Sequence, residues 1–309
     1  MMNHYDVMVY GPIFCDLIFT GLPSLPVLGE ELYAENLTVS LGGSAIVAAS
    51  LQRLGVKVGL IANLGNDFFS TLIWHSLEEK GLDRSLIHRH PYSLKQLTVA
   101  FSYPKDRAFV TRFEQPEVII DLGRILDKNP AKHLHICSFL AALNNPNAAN
   151  IAHEAGLTTS ADLGWAELSI SDPKIEALIA ELDVFLPSHS ELIQLTHIED
   201  TDQAANRTLS KMKQGILVVK NGANGATVFS QKSEKNVSIN ALPLEPVDTT
   251  GAGDAFDAGF IFGYINKKPL KTCLQYGVVC GGLTTTLPGG TQGFQTREEV
   301  EHWLQKLPL

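Results

Sequence analysis

No lysine in this chain follows a glycine. The glycine-rich loop ending in Gly-Lys-Ser/Thr that cradles nucleotide phosphates is therefore missing. No Gly-x-Gly-x-x-Gly opens a helix after a strand-like run either, so the P-loop and dinucleotide-binding readings both fall away. Cysteine is scarce: the four are Cys15, Cys137, Cys273 and Cys280, without C-x-x-C spacing, which leaves no disulfide framework and no zinc motif and implies buried, reduced thiols. The ten histidines form no His-Glu-x-x-His cluster, and His133 and His135, alternating in a strand-like run, read as core residues. Positive charge is in deficit, with 24 Lys and Arg against 33 Asp and Glu and a net charge of -9. That balance excludes nucleic acid as the expected partner, because phosphate backbones are bound by surplus cations. No apolar run approaches the roughly 18 residues that span a membrane, and Met1–Asp6 is polar without the shape of a signal peptide. No membrane association is expected, and the cytoplasm is the expected location.

What is present is a loop. Asp248-Thr249-Thr250-Gly251-Ala252-Gly253-Asp254-Ala255-Phe256 runs directly into an apolar helical segment that ends near Tyr264. Gly251 and Gly253 let backbone come close to a ligand, and the amides that open the helix lack intrahelical acceptors, so an anion fits there. Asp254 would repel that anion unless it has a task of its own, and taking a proton from an attacking hydroxyl is such a task. The plain alternative is a first-turn acid favoured by the helix dipole. Far upstream, Leu41-Gly42-Gly43-Ser44 follows a strand-like run and opens a helical stretch, Ser44 to Leu54, stopped by Gly55.

With 309 residues, 45% of them hydrophobic and 18% charged, the chain is long enough for one large α/β domain or two smaller ones. Short apolar runs at Tyr5–Tyr10, Val56–Ala62, His133–Ser138, Leu157–Asp162, Val184–Leu186 and Ile216–Lys220 read as buried strands, each followed by a helix-like segment. This alternation predicts a mostly parallel sheet with helices on both faces. Ligands of such sheets bind beyond the carboxyl ends of the strands, where Asp16, Gly42-Gly43, Asp162, Glu191, Gly222 and Asp254 are expected to gather. Two stretches break the rhythm, Leu17–Leu41 and Lys95–Phe113, with extended segments and no intervening helix.

Taken together, these segments resemble the ribokinase-like (PfkB) family of carbohydrate and nucleoside kinases. The C-terminal signature of that family matches through Asp248–Gly259, and the N-terminal one matches at Gly42-Gly43 and Leu54-Gly55, with Val47 where many sugar-specific members carry a substrate-contacting asparagine. Further matches are Gly11 and Asp16, Gly65-Asn66-Asp67, Lys220-Asn221-Gly222 and Gly289-Gly290, so the likeness covers nearly all of residues 5 to 305. It implies a single ribokinase-like domain over 1–309, with a small β-sheet lid from segments about 12–41 and 92–115. It also implies the possibility of a homodimer paired through the lid strands.

The resemblance assigns roles. Amides of Gly251, Ala252 and Gly253 hold the transferred phosphoryl group, and Asp254 is the base. Asp16, Gly42 and Gly43 bind the acceptor; a turn or cap acid is the alternative for Asp16. Lys220, Gly222, Gly225 and Gly289 belong to the nucleotide region, with Thr284–Gly290 completing the adenine pocket; a surface lysine and a turn are the alternative. Glu191 stands where the family places Asn-x-x-Glu near magnesium, but Ser188-His189-Ser190-Glu191 is also a capping box, and the two roles are compatible. Asp248 with the Thr250 carbonyl resembles the loop that holds a monovalent cation such as K+ in many members. Arg107 and Arg112 contact an anionic or polyhydroxy substrate, or stay solvated.

The function expected on these grounds is ATP- and Mg2+-dependent phosphorylation of a hydroxyl, a primary one, on a small sugar, sugar acid or nucleoside. Val47 and Phe139-Leu140-Ala141-Ala142 suggest a pocket less polar than one built for ribose. The rivals are a ligand-binding regulator with little turnover and a kinase using another nucleotide donor.

Overall fold

The computed structural model describes residues 4–306 apart from 104–106, 163, 165–167, 234, 288, 290–292 and 294; of Leu140 and Ala142 only the backbone is described. Its strands are β1 (Val7–Tyr10), β2 (Ile13–Thr20), β3 (Asn36–Gly43), β4 (Val58–Leu64), β5 (Ile87–Arg89), β6 (Gln96–Ser102), β7 (Arg107–Phe113), β8 (His133–Ile136), β9 (Thr158–Ala161), β10 (Val184–Phe185), β11 (Ile216–Lys220), β12 (Ala226–Ser230) and β13 (Val237–Ile239). The large sheet runs β13-β12-β11-β10-β9-β8-β1-β4-β5, and a separate sheet runs β3-β2-β6-β7. This is the ribokinase-like α/β fold expected from the sequence.

The reason lies in the strand composition. Every residue of β1 is buried, and successive side chains go to opposite faces: Val7 and Val9 join one apolar cluster, Met8 and Tyr10 another. A strand apolar on both sides needs cover on both sides, which parallel crossovers through helices supply. The first cluster is covered by the helices Ser44–Arg53, Ala252–Ile265 and Leu270–Thr284. The second is covered by helices that include Pro173–Ala180 and Thr201–Leu209.

Two expectations about rhythm need correction. No helix follows β11: the chain makes a short 3-10 turn, Gly222–Asn224, and returns as β12, antiparallel to β11, with β13 antiparallel beyond it. Nor does a helix directly follow β1, because the chain first visits the small sheet and re-enters at Ser44. Asp16 accordingly lies in the middle of β2, paired with Ser40 and Thr98, and not in the turn after β1.

Register in the small sheet assigns its two faces. Asp16 shares a face with Ser40, Thr98 and Thr111, and in the same alternation Arg107, whereas Leu37, Val39, Val110 and Arg112 lie on the other. Leu37, Val39 and Val110 are more than half exposed there. Among the described residues no helix is long and apolar enough to cross a membrane.

The histidines behave as expected, and so do the cysteines except Cys137, which is only partly buried. All four thiols are free. His133 and His135 are buried and joined through Ser160, at 2.7 Å to His133 Nε2 and 2.8 Å to His135 Nδ1, and burial pushes both down to about 3, so they are neutral.

Candidate active site

The helix Ala252–Ile265 starts at Gly251, which takes a left-handed φ of 73° and supplies no side-chain cap. Gly253 and Asp254 are its second and third residues, so their amides have no intrahelical acceptor and point with the positive end of the helix dipole into the crevice. The loop before it is tied down by Asp248, which is buried. Its Oδ1 accepts from the Thr250 amide (3.0 Å) and hydroxyl (2.7 Å), and its Oδ2 accepts from the Gly289 amide (2.9 Å). Both Asp248 oxygens are thus engaged in holding the loop.

The small sheet closes on this loop from above. Ser40 Oγ donates to the Gly289 carbonyl at 2.8 Å, and Arg107 donates to Thr249 Oγ1. Asp16 lies between, 8% exposed, with Oδ1 unpartnered among the described residues. Gly42 is what makes room for it: a Cβ there would stand 2.2 Å from Asp16 Oδ1. Burial raises the Asp16 carboxyl to about 7. Asp254 is also raised to about 7, by burial and then by the charge of Asp162, with Asp16 adding to the effect and Lys220 and Arg107 opposing it. Two acids with such environments, close enough to feel each other, mark a site built for proton chemistry.

Below the loop is a buried ionic cluster. Lys220, at the carboxyl end of β11, is 9% exposed; its Nζ lies 3.1 Å from Asp162 Oδ2 and 3.1 Å from each oxygen of Asp257. Those carboxylates hold the ammonium firmly charged despite burial. The surface-lysine alternative is therefore excluded. A Cβ on Gly253 would stand 3.7 Å from Lys220 Nζ, which puts the cation beside the loop amides.

Glu191 completes a capping box: its Oε2 accepts from the Ser188 amide at 2.7 Å while the Glu191 amide donates to Ser188 Oγ at 3.2 Å. Burial and then the charge of Asp162 raise its carboxyl, which places it at the edge of the same cluster. Among the described residues no group of three or more His, Cys, Asp or Glu side chains is poised to hold a metal.

The structure thus gathers Asp16, Gly42, Gly43, Asp248, Gly251, Ala252, Gly253, Asp254, Glu191, Lys220 and Gly289 around one crevice. Gly222 opens the turn after Lys220 with open space around its Cα. Gly225 is needed by the hairpin itself, since a Cβ there would stand 1.9 Å from the Ile239 carbonyl oxygen. Arg112 does not join: it faces away from Asp16, is 68% exposed and pairs with Glu114 at 3.1 Å. Arg107 is the arginine of the small sheet that reaches the loop, at Thr249. Val47 and Phe139 are wholly buried among apolar neighbours, so these departures fall on core packing. Gly290 lies outside the described residues. Asp257 was not singled out from the sequence; the signal was a second acid in an otherwise apolar helix, three residues beyond Asp254.

Comparison with known proteins agrees with this geometry. The model of the pfkB family carbohydrate kinases matches residues 5–297. The chain is 25% identical over 314 residues to a ribokinase of Haemophilus influenzae, covering 96% of this chain and 97% of that protein. It is 30% identical over 277 residues to an ATP-dependent ribose-1-phosphate kinase of Halopiger xanaduensis, covering 86% and 87%. Among solved structures, Arabidopsis thaliana ribokinase complexed with ribose and ATP superposes with a TM-score of 0.81 at 23% identity, covering 98% of this chain and 99% of that one. An acid at the head of a glycine-opened helix, near enough to a second buried acid on the small sheet to feel its charge, is consistent with a phosphotransferase with an alcohol acceptor, and the chain belongs to the pfkB family of carbohydrate kinases.

Proposed function

We propose that the protein transfers the terminal phosphoryl group of ATP to a hydroxyl, a primary one, on a small sugar, sugar acid or nucleoside, with Asp254 as the base. The observation that carries this reading is the pairing of Asp254, raised to about 7 beside free helix amides, with the buried Asp16, whose Oδ1 is unpartnered among the described residues. In the transition state charge spreads over the phosphoryl oxygens, so fixed donors matter more than a strong base. Amides of Gly253 and Asp254 supply such donors; the Ala252 amide, assigned to the cradle from the sequence, donates to the Thr249 carbonyl at 3.2 Å instead. Asp16 Oδ1 accepts from one acceptor hydroxyl and so orients another toward Asp254, which takes its proton as the new O–P bond forms and the bond from the terminal phosphorus to the bridging oxygen of ATP breaks, releasing ADP. The small sheet acts as a lid that excludes water, since an open site lets ATP hydrolyse. Arg107, on the substrate face of that sheet, favours an acceptor with anionic or several hydroxyl groups. Pairing of two copies through the exposed apolar face of the lid belongs to the same reading.

Magnesium fits the donor set as a hydrated ion. Carboxylate oxygens suit it, no protein cage is present among the described residues, and the cation keeps most of its waters. When bound, Mg2+ neutralises phosphate charge; Glu191 is the residue that would hold it, through water. Glu191→Gln keeps the capping geometry, since glutamine also serves there. It is expected to raise the magnesium concentration for half-maximal activity several-fold with little change in melting temperature. A magnesium titration that does not move would remove Glu191 from this role. A K+ requirement would likewise show as activation on replacing Na+ by K+, with Asp248 shaping the loop concerned.

The test of the function is acceptor-dependent ADP release across a panel of sugars, sugar acids and nucleosides, run with ATP and then ADP as donor. Turnover with one acceptor class and ATP supports the reading. Ligand binding without turnover on any member would convert the protein into a regulator, and turnover with ADP alone would change the donor.

A further inference from the structure

Asp257 is completely buried in a helix that is apolar apart from it and Asp254. Such a charge is costly even when paired, and a buried ion pair replaced by apolar residues of similar volume is often neutral or stabilising, so stability does not account for it. Its surroundings do. Asp257 lies three residues after Asp254 and therefore on the same face of the helix, directly below the loop amides. Both of its oxygens contact Lys220 Nζ, whose other carboxylate partner is Asp162. An ammonium has three donors. Three carboxylate oxygens stand 3.1 Å from Lys220 Nζ, and Nζ is also the nearest heavy atom, at 3.7 Å, to the Cβ position of Gly253.

We propose that Asp257 is a positioning residue for phosphoryl transfer, which together with Asp162 fixes the Lys220 ammonium against the amide end of the helix, so that a permanent cation stands beside the anion bound there. The inference rests on the kinase reading and adds to it a division of labour. The amides shape the cradle, while the Lys220 pair supplies charge specific to the terminal phosphate. The chain is acidic overall, and fixing a buried ammonium by its counter-ions sets one cationic group beside the loop amides without a basic surface.

The test uses full-length protein and two variants. Asp257→Asn keeps the side-chain shape and frees the ammonium. It is expected to raise the dissociation constant of ATP about tenfold, leave that of ADP within about twofold, and lower kcat about tenfold or more, a factor of ten being about 1.4 kcal/mol. Lys220→Met with Asp257→Leu and Asp162→Asn removes the cation together with both of its carboxylate partners, so the melting temperature is expected to hold while the same losses appear. This combined variant decides the matter if Asp257→Asn does not fold. Should both proteins keep kcat and the ATP-to-ADP ratio of dissociation constants within about threefold of wild type, the proposal is overturned. It is overturned equally if the melting temperature drops while both kinetic readouts, per folded molecule, stay put. Failure of the wild-type protein to bind ATP or turn over is a different result: it removes the kinase reading and this inference with it.

Discussion

Asp254→Asn is expected to lower kcat by about 10²- to 10⁴-fold, the usual contribution of a positioned general base, while ATP binding is kept or slightly tightened. The two effects have separate causes. Asparagine preserves size and most hydrogen bonding but has no basic oxygen for the acceptor's proton, and it removes a negative charge that repels the anion at Gly253. An ordinary first-turn acid would behave differently. It interacts with the helix dipole by about 0.3–1 kcal/mol, so its loss would lower the melting temperature slightly and leave the rate alone. Burial and the neighbouring Asp162 push the opposite way, holding the Asp254 carboxyl up to about 7. Because its folded pKa lies above the unfolded value, ionisation costs stability as pH rises from about 4 to about 7. Asp254→Asn should thus melt higher than wild type at pH 8, and the gap should close toward pH 4. The rate has the reverse sign: wild-type kcat/KM should rise with pH and level off above about 7, as the base form accumulates, and the variant should lose that limb. The measurements are kcat with a confirmed acceptor, the ATP dissociation constant and the pH profile, on one preparation. A folded variant with near-normal kcat removes Asp254 from the chemistry.

Much of this site is legible in the sequence, for reasons that are local. The anion loop is written in consecutive residues, Gly251 to Asp254, because helix-end geometry is set by the residues at that end. Core strands such as β1 and β11 are legible because each is buried over four consecutive residues. What escapes are features decided by distant partners. The hairpin β12-β13 depends on Gly225 seating against the Ile239 carbonyl, and β12, Ala226–Ser230, is too short and mixed to announce itself. The choice between Arg107 and Arg112 is fixed by strand register, which pairs Leu97 with Arg112 and Ser102 with Arg107. One residue of slippage would exchange their faces. The Lys220 cluster joins β9, β11 and a helix, and nothing in the run Val219-Lys220-Asn221 tells a buried lysine from a surface one.

Asp16→Asn is expected to make the protein more stable and far less active. The Asp16 carboxyl is 8% exposed with one oxygen unpartnered among the described residues, and burial alone raises it to about 7 from 3.8. The folded state therefore binds its proton more tightly than the unfolded state. No cost is felt below about pH 4, the cost grows between pH 4 and 7, and above 7 it reaches its full value, on the order of 4 kcal/mol at about 1.4 kcal/mol per unit. Asparagine cannot ionise, so at pH 8 the variant should melt several degrees higher, and the two melting curves should converge as the pH approaches 4. A residue kept for the scaffold would show the opposite. The loss of function has its own scale: hydrogen bonds to a charged group contribute about 1.5–3 kcal/mol each, so kcat/KM for the confirmed acceptor should fall roughly 10- to 200-fold, more if two hydroxyls bind. Gly42→Ala reaches the same site from the backbone side. Its Cβ, 2.2 Å from Asp16 Oδ1, must displace the carboxylate, so kcat/KM should fall comparably without the gain in stability. Melting temperature against pH and kcat/KM for the three proteins decide the matter. Asp16→Asn with kcat/KM within about threefold of wild type would return Asp16 to the scaffold and leave the acceptor to be held by other residues of the lid.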